Sequence, residues 1–260
     1  MKVVIIGSGN TATVLGGKIL AAGHPVVQVI SRQAAHAERL GTELHCGYTT
    51  ELAAIDREAD LYLAAVSDSA LYTLGEQLSL PGRLVLHTAG AVPKAVLLPV
   101  SERSGVLYPL QSIRKEIRPF PEIPLLIDAN QSGDLPVIAN FAGTISRQVQ
   151  AADDATRLRL HVGAVIVNNF GNFLYTLTED YCRKEGIDFS LLIPIIQETA
   201  ARLAHSDPRN TQTGPAIRRE ETTIEKHLQI LNNHKDIKEL YSLFTKQIEE
   251  FYHPSKMLPS

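Results

Sequence analysis

The chain has 260 residues, with 25 Lys and Arg against 28 Asp and Glu and a formal net charge of −3. That balance leaves no basic footprint for nucleic acid, and the two cysteines, Cys46 and Cys182, are too far apart to form a disulfide framework or a metal set. The length supports a sizeable core in one large or two smaller domains. The only N-terminal apolar run is too short for a signal peptide or a membrane span, so a cytoplasmic protein is expected.

In chain order, Lys2-Val3-Val4-Ile5-Ile6 reads as a buried strand. Gly7-Ser8-Gly9-Asn10-Thr11-Ala12 then reads as a glycine turn opening a helix over 11–22 that closes at Gly23. A second strand runs from Val26 to Ser31-Arg32, which completes the strand, turn, helix and strand of a dinucleotide-binding unit. A helix near 33–40 and a weak strand at 43–46 follow. Further buried strands are expected at 60–66, 84–86 and 105–109. Short apolar runs alternating with helical patterns predict a parallel sheet covered on both faces. Prolines between Pro119 and Pro136 break the pattern. From Asp154 the chain reads as helix: a long segment to Glu185 closed by Gly186, then 189–204, 220–231 and 236–252. The expected architecture is α/β: a doubly wound, mostly parallel Rossmann-type sheet over residues 1–152, then an all-helical domain over 153–260.

The glycines of the turn have separate tasks. Gly7 permits a sharp exit from the strand, and Gly9 has no side chain to hold a pyrophosphate away from the helix-start amides. Ala12 is small enough for close packing of helix on strand. An NAD site places Asp or Glu at the end of the second strand, where this chain has Ser31 and Arg32, so the expected cofactor is NADP. Candidate cofactor contacts are Gly7, Ser8, Gly9, Asn10, Thr11, Ser31 and Arg32, with Val66 and Ser67 at the end of the third buried run. Three successive strands end in small or polar groups, which suggests one crevice lined by Ser67, Thr88, Gln111 and Ser112. Taken singly, each is better explained by loop capping than by function.

These segments together carry a family likeness. Gly7-Ser8-Gly9-Asn10 with Ser31-Arg32, Ala65-Val66-Ser67-Asp68, His87-Thr88-Ala89-Gly90, Tyr108-Pro109-Leu110-Gln111-Ser112, His161 with Asn169-Phe170, and Thr213-Gly214-Pro215 with Arg218 form the set. The chain resembles the Rossmann-like NADP oxidoreductases with a helical C-terminal domain of unknown function. That family is similar in layout to pyrroline-5-carboxylate reductase, to deazaflavin-dependent NADP reductases and to 3-hydroxyacid dehydrogenases. The resemblance implies a fold and a cofactor type without a substrate. The chain departs from the family pattern in having Tyr108 where a histidine precedes the proline, and Arg218-Arg219-Glu220 in place of Arg-Gly-Asp.

Reduction of a C=N or C=O bond needs a positioned nicotinamide and a donor for the charge developing on nitrogen or oxygen. His161 lies early in the long helical run, sharing a face with Val165, Asn168 and Asn172, with Asn169 close by. Such groups line a wet crevice or satisfy one another in an interface. The candidate catalytic residues are His161, Asn169 and Thr88. Gln111, Ser112 and Arg218 are candidate substrate contacts, Arg218 as an anion anchor or as a solvated residue of a proline-started helix. His205, His227 and His234 lack metal spacing, and no nucleophile elbow or phosphate-binding P-loop is present. The expected function is an NADP-dependent oxidoreductase acting on a small polar carbonyl, imine or hydroxy acid, with no metal, no nucleic acid and no membrane. The alternative is a non-catalytic NADP-binding sensor. Apolar stripes Ile224, Leu228, Leu231 and Ile237, Leu240, Leu243, Phe244, Phe251 predict a homodimer.

Overall fold

Val3-Val4-Ile5-Ile6 is apolar at every position because both faces of the strand it forms are covered. This strand, β1 (Val3–Ile6), lies at the centre of an eight-stranded sheet in a computed structural model that describes residues 1–254. The other strands are β2 (Val26–Ile30), β3 (Gly47–Thr49), β4 (Leu61–Ala64), β5 (Leu84–His87), β6 (Ser104–Pro109), β7 (Leu125–Ala129) and β8 (Val149–Ala151). Their order is β3-β2-β1-β4-β5-β6-β7-β8. Ile5 stands opposite Val29 on one side and Leu63 on the other, so the chain winds outward in both directions from β1. The crevice at such a reversal of strand order is where ligands bind in open α/β sheets.

Every neighbouring pair is parallel except β6 with β7. Alternate side chains then build two cores. Val3, Ile5, Leu63 and Leu86 pack with Leu15 and Ile19 of α1 (Asn10–Ala21) and with Ile138 and Phe141 of a later helix. Val4, Ile6, Tyr62 and Val85 pack on the opposite face with Leu71 and Leu74. The latter two belong to α3 (Asp68–Gln77), and α2 (Ala34–Glu43) covers β2 and β3.

Two expectations are corrected. The weak strand placed at 43–46 occurs at Gly47–Thr49, because α2 continues to Glu43 and His45 takes a left-handed turn with φ +55°. The stretch between Pro119 and Pro136, read as a break, holds β7, followed by α4 (Leu135–Ile145) and β8. Pro124 stands before the first residue of β7 and Pro136 lies in the first turn of α4, two places where a missing N–H costs nothing.

The chain divides into two compact units, the first ending at Asn168 and the second beginning at Asn169. The first therefore includes α5 (Asp154–Ala164), started by an Asp153 carboxylate that accepts the Thr156 N–H at 2.8 Å. The helical run expected to be uniform to Glu185 is interrupted by a π-helical stretch, Val165–Phe170. After it come α6 (Gly171–Lys184), α7 (Ile193–Arg202), α8 (Pro215–Arg218), α9 (Glu221–Ile230) and α10 (Lys235–Tyr252). α6 ends as the sequence predicts: Gly186 takes φ +69°, and the Ile187 N–H returns to the Cys182 carbonyl at 2.8 Å. Within the second unit His234 joins Glu185 at 2.7 Å and packs edge-on against Tyr181. Both cysteines are free; Cys182 is buried, and burial pushes the Cys46 thiol up to about 11. Among the described residues no helix is long and apolar enough to cross a membrane.

Candidate functional site

Gly7 sits where β1 ends. Its N–H donates to the Ile30 carbonyl at 2.7 Å, and the neighbouring Ala65 N–H donates to Ile6 at 2.8 Å. The residue takes φ +119°, and a Cβ there would stand 2.2 Å from the Ala65 carbonyl oxygen. Only glycine fits this corner. Gly9 differs: its φ is −77° and a Cβ would meet no protein atom within 4 Å. Its missing side chain leaves room on the side of a cleft rather than room for the fold.

That cleft, of about 810 Å³, is lined by Gly7, Ser8 and Gly9, by Ser31, Arg32, Gln33 and His36, by Thr50, and by Val66, Ser67, Thr73 and Gln77, over a floor of Ile6, Ile30 and Ala65. α1 begins beside it at Asn10 and Thr11 with neither a side-chain cap nor an acidic residue in its first turn, which leaves helix-start N–H groups for an anion. Ser8 and Ser31 hydroxyls meet at 2.6 Å and tie the glycine turn to the end of β2. Among the described residues no carboxylate lines the cleft, and its basic side chains are Arg32 and His36. These donors suit a phosphate-rich nucleotide. His36, Gln33 and Thr50 were not read from the sequence. His36 stands four residues after Arg32, a spacing that would have pointed to it had α2 been taken as presenting its first turn to the site.

The strand ends do not all meet. Ser67 lines the large cleft, whereas Thr88, Gln111 and Ser112 are outside its lining. Gln111 and Ser112 flank a hollow of about 20 Å³ beside Val14 and Ile113, and the Gln111 side-chain oxygen accepts the Ser112 N–H at 3.1 Å. Thr88 is half-buried at the end of β5. His161 is also half-buried, and its Nδ1 lies 2.9 Å from the Tyr108 hydroxyl. Burial raises the pKa of that hydroxyl; the charge of Arg157 opposes the rise and that of Asp68 adds to it.

Beneath this edge His87 is fully buried, with Nδ1 accepting the Ala89 N–H at 3.2 Å. Burial first, and then the Arg157 charge, hold its imidazole down to about 4. Arg157 is itself buried and donates to the Val92 carbonyl and the Asp154 carboxylate, each at 2.6 Å. Lys94 pairs with Asp128 at 3.0 Å nearby in the chain's fold.

Asn169 opens the second unit and is exposed, as are Asn168 and Asn172. Arg218, also in that unit, holds Glu220 through Nε at 2.6 Å. Arg219, at the place where the family pattern has glycine, takes the left-handed conformation with φ +55° and ψ +43°.

The mostly parallel sheet, its glycine corner and the acid-free cleft define a Rossmann-type nucleotide-binding domain, joined in this chain to a helical unit. Residues 1–111 match the model of the Rossmann-like domain, and residues 123–248 match the domain of unknown function DUF2520. The chain is 35% identical to a candidate NADP oxidoreductase from Bacteroides fragilis, over 96% of this chain and 98% of that one, with a TM-score of 0.86, and it belongs to that protein's family. A reductive aminase from Aspergillus terreus, solved with NADPH and ethyl-5-oxohexanoate, shares the fold at 18% identity, with 95% and 94% of the two chains covered and a TM-score of 0.67. So does a pyrroline-5-carboxylate reductase from Coxiella burnetii, at 14% identity, 96% and 97% coverage and a TM-score of 0.59. No protein of curated function matches the chain.

Proposed function

We propose that this protein is an NADP-dependent oxidoreductase that transfers a hydride between NADP(H) and a small polar carbonyl, imine or hydroxy acid. The observation that carries the reading is the cleft at the end of β1 and β2, which has Arg32 and His36 in its wall and no carboxylate. A 2′-phosphate would be repelled by the acid of an NAD site and is attracted here. The family relative named for NADP oxidoreduction supports the same cofactor. The residues present fit it: the uncapped start of α1, from Gly9 to Thr11, would offer its N–H groups to the pyrophosphate, Ser31, Arg32 and His36 would hold the 2′-phosphate, and Val66 and Ser67 border the same cleft. Bound there, NADPH supplies the hydride.

The remaining roles follow the sequence. Residues 1–152 hold the cofactor and residues 153–260 serve substrate binding and dimerisation. His161, Thr88 and Asn169 handle the proton and the polar end of the substrate, while Gln111, Ser112 and Arg218 bind its other groups. Arg218 reaches a substrate carboxylate by giving up its exposed pair with Glu220, which solvent screens. A homodimer in the cytoplasm is the assembly we infer. Besides Leu243, Phe244 and Phe251, it would cover Leu158 and Val162 of α5, Ile166 and Phe170 of the π-helical stretch and Phe173 of α6, all exposed apolar side chains.

The test is NADPH oxidation, followed by absorbance, across small 2-oxo acids, cyclic imines and 3-hydroxy acids, with calorimetry of NADPH binding beside it. Tight binding with turnover of one class is expected. Tight binding with no turnover across the panel would leave a cofactor-binding protein and overturn the enzyme.

A further inference from the structure

The contact between Tyr108 and His161 was not foreseen from the sequence, where Tyr108 stood out as a departure from the family's histidine. Its two rings meet edge-on with centroids 6.0 Å apart, and the hydroxyl is 2.9 Å from Nδ1. Three parts of the first unit hold the pair. Tyr108 is the penultimate residue of β6, at the carboxyl edge of the sheet where ligands bind. His161 projects from α5. Gly90, in the loop after β5, closes on both, since a Cβ there would stand 2.8 Å from His161 Nδ1 and 2.8 Å from Tyr108 Cζ. Arg157, four residues before His161 and so on the same helical face, is pinned to the Val92 carbonyl of that loop at 2.6 Å. The position of the imidazole is therefore fixed from its own helix, from the loop and from the strand.

We propose, resting on the reductase reading above, that Tyr108 is the catalytic acid and that His161 is its positioning residue, aiming the hydroxyl and restoring its proton. A hydroxyl that accepts from Nδ1–H keeps its own O–H free to point elsewhere. As hydride adds to the carbon of a C=N or C=O bond, the π electrons move to nitrogen or oxygen, and that atom takes the proton of Tyr108 Oη. The tyrosinate then takes the proton on His161 Nδ1, Nε2 takes one from water with release of hydroxide, and proton exchange with solvent returns the ring to its Nδ1–H form. One hydride and one water-derived proton are consumed, an amine or alcohol is formed, and both side chains end neutral. Burial keeps the phenol protonated at neutral pH, as a donor requires. The charged groups that act on the Tyr108 hydroxyl are Arg157 of α5 and Asp68 of α3.

Tyr108→Phe and His161→Ala test the assignment, with calorimetry confirming that each still binds NADPH. Tyr108→Phe should lower kcat about 100-fold or more, the usual worth of a positioned acid. His161→Ala should lower it about tenfold, recover with added imidazole and change the pH profile. A second readout needs neither substrate nor cofactor: in protein with nitrogen-labelled histidine, Tyr108→Phe should shift the Nδ1 resonance of His161 and leave the circular dichroism unchanged. Turnover that survives Tyr108→Phe but collapses in His161→Ala would make His161 itself the donor and overturn the proposal, as would an unmoved Nδ1 resonance. A wild-type protein that binds NADPH yet reduces nothing would instead remove the reductase reading, and the donor with it.

Discussion

Replacing Gly7 by alanine tests whether the corner at the end of β1 is demanded by the fold, and replacing Gly9 by valine tests whether the next glycine is demanded by the ligand. At Gly7 two costs combine. A side chain at φ +119° carries strain of about 1–3 kcal/mol. The new Cβ, 2.2 Å from the Ala65 oxygen, must also push apart strands tied by Gly7 to Ile30 and by Ala65 to Ile6, an overpacking cost of about 1–3 kcal/mol. The sum of about 2–6 kcal/mol lowers Tm by about 4–24 °C at the 2–4 °C per kcal/mol typical of chains this size. At Gly9 the extended backbone and the empty surroundings predict a wild-type melting curve, with NADPH binding abolished because the branched side chain fills the approach of the pyrophosphate. Thermal melts by circular dichroism and NADPH titration separate the two. A Gly7→Ala protein that melts with the wild type would refute the steric argument. A Gly9→Val protein with native affinity would show that this turn is not the phosphate site.

Why some of the molecule was legible and some was not follows from the range of the interactions involved. The first strand and its glycine turn are encoded locally: four apolar residues, a positive-φ corner and an uncapped helix start are all written within Val3 to Asn10. Gly23 and Gly186 likewise end helices by their own conformation. β7 escaped because Leu125–Ala129 gains its strand character from pairing with β6, on which the flanking prolines have no bearing. The π-helical stretch escaped because Val165–Phe170 is too short for its apolar pattern to separate one helix type from another. Arg32 was legible as a missing acid, whereas His36 required knowing that the first turn of α2 faces the cleft. Tyr108 meets His161 across 53 residues and buried Arg157 meets Val92 across 65, and no local pattern encodes either pairing. The glycine turn and the missing acid could thus be read from the sequence, and the contact between Tyr108 and His161 could not.

Four further outcomes are open to measurement. NADPH should bind about 10- to 100-fold tighter than NADH, from charge-assisted bonds of Arg32 and Ser31 worth about 1.5–3 kcal/mol, with Arg32→Ala removing most of the preference; calorimetry with both cofactors decides it, and equal affinities would refute the NADP assignment. Arg219→Gly should stabilise the second unit, because relief of about 1–2 kcal/mol of left-handed strain exceeds the roughly 0.5–1 kcal/mol entropic cost of glycine; a lower Tm would refute that account. Light scattering at micromolar concentration should find a dimer, and a monomer would return the exposed apolar side chains of α5, α6 and α10 to the solvent surface of a single chain. The last outcome concerns acid. His87 is held from 6.5 down to about 4, by burial before the Arg157 charge, so between those two values the unfolded chain takes up a proton that the folded chain refuses. More protons bound in the unfolded state means that stability rises with pH, so it is present in full above pH 6.5 and falls as the pH drops toward 4. The loss by the bottom of that window is about 3 kcal/mol for this one group. Denaturant titrations at stepped pH should show the slope, and His87→Asn, which cannot titrate there, should flatten it whatever it does to stability at neutral pH. An unchanged slope in the variant would place the acid sensitivity on another group and refute the burial of His87 as its source.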